Sequence, residues 1–283
     1  MNTKIHPDTQ IGRVALTVTN LDRSVTFYQT LGLTLRHRES GTAYLGTEER
    51  DLLELHENSQ ARSVRGTTGL YHFAILLPTR VDLALALYNM AQQQIPLQGY
   101  SDHLVSEAIY LADPDGNGIE VYRDRPRSEW QYSGDGTLRM STVALDIDSL
   151  LGELNNYSST WSGFPNGTIN GHIHLHVGNL AKATQFYTMQ LGFDFIAGYG
   201  AQAGFVSAGG YHHHIGMNTW SGMNAPPPPA DAVGLRWYEI VLPHQDAVNA
   251  ITEQLAETAV PLQHTPNGIL LHDPAQNGIL LTT

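Results

Sequence analysis

The chain has 283 residues, 41% of them hydrophobic and 15% charged, with a formal net charge of −12 at pH 7 and no cysteine. That length and apolar share suit two ordinary domain cores, while 15 Lys and Arg against the negative total argue against nucleic acid, whose phosphates need clustered cations. Disulfides and thiolate metal sites are excluded, so a metal must sit on His, Asp or Glu; with no signal-like opening and no run near the ~20 apolar residues of a membrane span, the sequence predicts a cytoplasmic protein without a membrane partner.

Residues 14–18 alternate with β-favouring side chains, and Asn20 then caps a helix on which Leu21, Val25 and Tyr28 recur at helical spacing until Gly32. Strand-like runs follow at 34–37, 42–45 and 52–56, parted by Ser40-Gly41 and the polar stretch 46–50. This is one strand-helix-strand-strand-strand module. A second starts at Gly69-Leu-Tyr-His-Phe-Ala-Ile-Leu-Leu-Pro78, continues in a helix over 82–93, and closes with 108–111, a turn at Asp113-Pro-Asp-Gly116, and 118–122. Residues 126–167 read as a linker with a short amphipathic helix at 148–154.

The plan then repeats. A strand from His172 leads to a helix at 180–187 and strands near 193–196, 204–207 and 212–217. Residues 226–229, all proline, form a stiff, extended loop. The last module starts at Gly234-Leu-Arg-Trp-Tyr-Glu-Ile-Val-Leu-Pro243 and runs through a helix at 247–257 to 268–271, Asp273-Pro274 and 278–281. Duplication is plain in Ile11-Gly-Arg-Val-Ala-Leu-Thr-Val-Thr-Asn-Leu21 against Asn170-Gly-His-Ile-His-Leu-His-Val-Gly-Asn-Leu180, each continuing into Phe-Tyr and Leu-Gly. The predicted domains are 1–125 and 168–283. Arg13 of the first corresponds to His172 of the second, so the halves are expected to differ in chemistry.

Paired modules with Phe-Tyr after the first strand, a Leu-Gly turn and Asp-Pro-Asp-Gly-Asn before the last strand resemble the vicinal oxygen chelate superfamily of glyoxalase I, extradiol dioxygenases, and fosfomycin and bleomycin resistance proteins. Together with Gly210-Tyr-His-His-His-Ile-Gly-Met-Asn-Thr-Trp220, the two-domain plan looks most like the bacterial catechol 2,3-dioxygenase subgroup. The resemblance implies an α+β fold of two tandem domains, each pairing two βαβββ modules into a cupped sheet. It also implies a divalent metal on the first and last strands of the modules lining one cup.

With modules paired in sequence order, those positions read Arg13, Glu54, His72 and Glu120 in the first domain. A guanidinium among carboxylates repels a metal and forms ion pairs instead, so this domain is expected to be metal-free. In the second domain they read His172, His214, Trp237 and Leu280. Glu239, two residues past Trp237 on the same strand face, replaces a missing carboxylate. His172, His214 and Glu239 then form a two-histidine, one-carboxylate face suited to Fe(II) or Mn(II). An isolated inward histidine is usually a core residue, but His172, His174 and His176 share one face, as do His212 and His214 on another. His174 and His212 are the candidates for moving protons, or alternatively for fixing ligand orientation. His6, His56, His103 and His244 receive no role.

The expected activity is metal-dependent extradiol cleavage of a catechol-like aromatic by O2, by a protein that could form homo-oligomers. The alternatives are a glyoxalase-like isomerase or lyase, which wants a second carboxylate, and a bleomycin-resistance-type binding protein, for which five inward histidines are an odd lining.

Overall fold

The computed structural model describes residues 3–157 and 161–283. The first module comprises β1 (Gln10–Val18), α1 (Leu21–Leu31), β2 (Thr34–Glu39), β3 (Thr42–Gly46) and β4 (Asp51–Glu57). The second comprises β5 (Gly69–Leu76), α2 (Arg80–Gln92), β6 (Leu97–Asp102), β7 (Ser106–Ala112) and β8 (Gly118–Asp124). After α3 (Ile147–Gly152) come β9 (Ile169–His176), α4 (Leu180–Gln185), β10 (Asp194–Tyr199), β11 (Ala203–Ser207) and β12 (Ile215–Asn218). The last module is β13 (Gly234–Val241), α5 (Gln245–Ala256), β14 (Gln263–Thr265), β15 (Gly268–His272) and β16 (Gly278–Thr282). No helix among the described residues is long and apolar enough to cross a membrane.

Sequence explains most boundaries. Asn20 accepts from the Arg23 N–H at 2.8 Å and Asn179 from the Lys182 N–H at 3.0 Å, so both copies of the repeat cap their helix with the same side chain. Thr79 and Asp82 close a reciprocal capping box on α2. Helix α4 stops at Gln185 and gives way to one wide π turn over Phe186–Gln190, where the sequence predicted helix to 187. Strands β6 and β14 escape sequence reading because Leu-Gln-Gly-Tyr-Ser-Asp and Gln-His-Thr lack apolar alternation. Both are sheet edges, where water can solvate one side. Residues 158–160 of the expected linker lie outside the described residues.

The strands form two eight-stranded curled sheets, in the orders β14-β15-β16-β13-β1-β4-β3-β2 and β10-β11-β12-β9-β5-β8-β7-β6. The fold class is therefore α+β with two glyoxalase-fold domains, as expected. The pairing within sheets differs from the sequence-order reading: one sheet takes the first and fourth modules, the other the second and third.

The chain divides into two compact units: Met1–Thr17 with Ala61–Tyr71 and Gly171–Thr283, and Val18–Gln60 with His72–Asn170. Each carries the same buried lock. In the second unit, Asp113 accepts from the Tyr28 hydroxyl at 3.0 Å, from the Asp115 and Asn117 N–H groups at 2.9 Å each, and from the Asn117 amide at 2.8 Å. In the first unit, Asp273 repeats this with Tyr187, Ala275 and Asn277. The recurring Phe-Tyr and Asp-Pro motifs are thus two ends of one contact. Burial pushes both carboxyls above the usual aspartate value, against the pull of those donors.

Candidate functional site

Strand alternation puts His72, Ala74 and Leu76 of β5 on one face, opposite to buried Phe73 and Ile75. On β8, Glu120 and Tyr122 share a face, and Ala74, Ala108 and Tyr122 pack together with Leu76 and Tyr110 beside them. His72 Nε2 lies 3.1 Å from Glu120 Oε2, and the side chains are 7% and 3% exposed. Tyr110 stands directly opposite Glu120 in the β7–β8 register, with its ring 5.7 Å from that of His72. Its hydroxyl meets His103 Nε2 at 2.6 Å, and His103 Nδ1 meets the Ser141 carbonyl at 2.8 Å.

On β9, His172, His174 and His176 alternate as predicted, and His172 and His174 are buried. The His172 ring lies 4.2 Å from His213 and 6.0 Å from His212. His212 and His213 approach through their Nδ1 atoms at 2.7 Å, so one of the two carries a proton there. His174 is walled by the rings of Tyr71, Trp220 and Phe205 at 5.1, 5.5 and 5.7 Å. Gly216 permits that packing, since a Cβ there would lie 2.9 Å from the His174 ring. His176 bonds Asn218 Oδ1 at 2.7 Å.

Residues His212 to His214 precede β12 rather than lie in it, because the strand starts at Ile215. The alternation argument therefore does not govern them. His214 Nδ1 accepts the Ala208 N–H at 3.2 Å and meets Ser207 Oγ at 2.9 Å, which leaves the proton of a neutral ring on Nε2.

Glu239, expected as the third ligand, is engaged by Arg13. Its Oε1 accepts from Arg13 Nη2 at 2.7 Å and Nε at 3.0 Å, and its Oε2 accepts the Arg13 backbone N–H at 2.7 Å. Gly12 makes this approach possible, for a Cβ there would fall 2.5 Å from Oε2. The physical reason is strand order: β13 lies beside β1 in one sheet, while β9 and β12 belong to the other. The Arg13 guanidinium also sits 5.6 Å from the Trp237 ring centre. Within the expected set of Arg13, Glu54, His72 and Glu120, Arg13 pairs with Glu239, Glu54 lies 2.7 Å from His56, and His72 lies 3.1 Å from Glu120.

The ligand atoms of His72, Glu120 and His172 all lie within 4.8 Å of one another, and all three residues are buried. Two imidazoles and one carboxylate are a donor set that could hold a divalent transition metal, and burial would exclude competing water.

A sequence model of the Glyoxalase/Bleomycin resistance protein/Dioxygenase superfamily matches residues 10–121 and 170–271. The chain belongs to this superfamily. It is 47% identical over 283 residues to catechol-2,3-dioxygenase of Bacillus subtilis (strain 168), covering 98% of each chain. Among solved structures, a Bacillus subtilis subsp. subtilis str. 168 protein aligns with a TM-score of 0.64 at 14% identity, covering 99% of this chain and 86% of that one. Glyoxalase I from Zea mays aligns with a TM-score of 0.56 at 14% identity, covering 97% and 92%. These two likenesses speak for the superfamily fold alone.

The sequence pattern places His72 and Glu120 on their strands but in a metal-free network, and gives no role to Tyr110 or His103. A signal was present. Of the eight positions compared, the second and third modules hold His72, Glu120, His172 and His214, whereas the first and fourth hold Arg13, Trp237 and Leu280 beside a single carboxylate, Glu54. Metal-competent chemistry was already sorted by the modules that share a sheet in this superfamily member.

Proposed function

We propose that the chain is a metal-dependent extradiol dioxygenase that cleaves a catechol-like aromatic with O2, and that His72, Glu120 and His172 hold its metal. The observation that carries this reading is the buried convergence of those three side chains in a chain 47% identical to a catechol-2,3-dioxygenase. His172 keeps the role the sequence gave it; His72 and Glu120 replace His214 and Glu239. Fe(II) fits the role, with Mn(II) as the substitute, because this donor set suits either and such an ion supplies the redox chemistry linking an aromatic ring to O2.

The surrounding residues have separate tasks. Glu120 contributes the one formal negative charge of the donor set, which leaves a divalent ion attractive to an anionic catecholate. Tyr110, opposite Glu120 and beside His72, is placed to bond a substrate hydroxyl. We keep His174 and His212 as candidates for proton movement. The rings of Tyr71, Trp220 and Phe205 pack around His174, which is itself buried.

The test is oxygen uptake and formation of a yellow ring-cleavage product by iron-loaded protein on a panel of catechols. His72→Ala, Glu120→Ala and His172→Ala are each expected to lose metal on dialysis while keeping the circular dichroism of the wild type. His174→Ala and His212→Ala are expected to keep metal and lose turnover. Full metal content in any of the first three variants would remove that residue from the site, and an iron-loaded wild type that consumes no oxygen with any catechol would end the dioxygenase reading.

A further inference from the structure

The outer backbone groups of an edge strand accept another strand unless charge, brevity or a covering segment prevents it. One sheet ends in β14 and β2, the other in β10 and β6. Strand β14 has three residues, and β6 exchanges backbone bonds of 2.9 and 3.0 Å with Val143 at Asp102. Strand β2 reads Thr-Leu-Arg-His-Arg-Glu, with Arg36 2.7 Å from Asp51 and Arg38 2.6 Å from Asp22. A strand approaching that edge would meet fixed charges.

The internal repeat makes β10 the direct counterpart of β2. Aligned on Leu33 and Phe193, Arg36, Arg38 and Glu39 of β2 correspond to Ile196, Gly198 and Tyr199 of β10. One charge remains on β10, Asp194 at its first position, and Lys4 pairs with it. Phe195 is 52% exposed and Tyr199 69%. Nothing lies beyond β10 in the strand order. The ladder register breaks once in each of β2, β6 and β10, so a bulge does not set β10 apart. Beside the strand, a groove of about 560 Å³ runs between α4 with its π turn and the β10–β11 hairpin, lined among others by Leu180, Thr188, Met189, Phe195 and Gly198.

Charge argues for the occupant. Residues 180–203 carry only Lys182 and Asp194, a neutral face on a chain of net charge −12, so this is where two like-charged copies approach at least cost. Antiparallel pairing of β10 with itself sets Asp194 of each copy against Tyr199 of the other. The two Asp194 side chains then stand about 17 Å apart along the strands, beyond the ~8 Å reach of unscreened charge in physiological salt. Burying the exposed parts of Phe195, Tyr199 and Met189 supplies on the order of 300 Å² of the ~800 Å² per copy typical of a stable pair, with strand backbone and groove walls adding to it.

We propose that the chain forms a homodimer through β10, two copies pairing these edges antiparallel about a two-fold axis so that one sheet continues from copy to copy. Such a contact is the same patch on both copies and closes at two, which leaves no open edge to propagate.

The test is mass by light scattering on the full-length chain, with Ile196→Arg, Gly198→Arg and Tyr199→Glu as variants. Each introduces the residue that β2 carries at the matching position, and at Gly198 an added Cβ meets only an ordinary contact of 3.6 Å with Phe195. The wild type should have the mass of two chains or a multiple of it, and each variant that keeps the wild-type circular dichroism should have half that mass. Hydrogen exchange of the wild type reads the same contact without a variant: amides of 194–199 should be protected along the whole strand, while every second amide of 34–39 exchanges fast. A monomeric wild type, including one that takes up a foreign peptide strand or an apolar small molecule at this edge, would overturn the proposal. So would a folded arginine variant of unchanged mass, or amides of β10 that exchange as fast as those of β2.

Discussion

Removing the Arg13 guanidinium would leave the Glu239 carboxylate in a largely buried place without the two donors on its Oε1, keeping only the backbone N–H of residue 13 on Oε2. The side chains are 21% and 10% exposed, so solvent can replace little of the lost pairing. Arg13→Ala is expected to cost about 3 kcal/mol, seen as a lower urea midpoint at unchanged slope. Arg13→Met combined with Glu239→Leu should recover part of it, since both charges of this pair are then removed. Metal content should not change in either variant, because the proposed ligands belong to strands of the other sheet. A single variant as stable as the wild type would show that the pair is worth little.

At the scale of elements, Glu107 on β7 ties the start of α2 to β8. Arg80 Nε reaches its carboxylate at 2.9 Å and Arg123 Nε at 2.7 Å, with Arg125 at 3.4 Å. Burial pushes the Glu107 carboxyl up, but its bonds to Arg80 and Arg123 outweigh burial and leave it below the ordinary value of 4.5. A carboxylate depressed in the fold adds stability above its unfolded value, and loses that share as pH falls through the folded one. Asp113 and Asp273 act in the opposite sense. Their values are raised above 3.8 chiefly by burial, so their share is present at lower pH and declines as pH rises through the folded value. Glu107→Gln should therefore flatten the acid limb of the melting-temperature profile below 4.5. An acid limb as steep as that of the wild type would assign acid sensitivity to other groups.

For the whole molecule, the strand order predicts that neither sequence half is self-sufficient. Residues 1–125 contain β1–β4 of one sheet and β5–β8 of the other, and residues 168–283 contain the remaining strands of both. Expressed alone, each half would expose two sheet edges that are paired in the full chain, and should aggregate or stay unfolded. Neither should retain stoichiometric metal, because His72 and Glu120 fall in one half and His172 in the other. Co-expression should restore metal content by elemental analysis. A soluble second half that keeps metal by itself would return the site to the sequence-order pairing.

Much was legible in the chain because it is written locally. The repeat, the Asn20 and Asn179 caps, the alternation of His172, His174 and His176, and the Tyr and Asp motifs each depend on neighbours a few residues away. From these follow the four modules, the fold class and the histidines of β9. The edge strands β6 and β14 were not legible, since an element half in water needs no apolar pattern. Nor was the partner of Glu239: strand alternation fixes which face a carboxylate takes but not which strand lies beside it. That choice is made by packing whole modules, where β13 meets β1 and β9 meets β5. One pairing moves Glu239 to Arg13 and brings His72, Glu120 and His172 together. The sequence by itself determined which residues could carry the chemistry, through side-chain type and local period. Tertiary structure alone decided which of them meet, because contact between strands more than a hundred residues apart is set by the burial of two sheets and by no local rule.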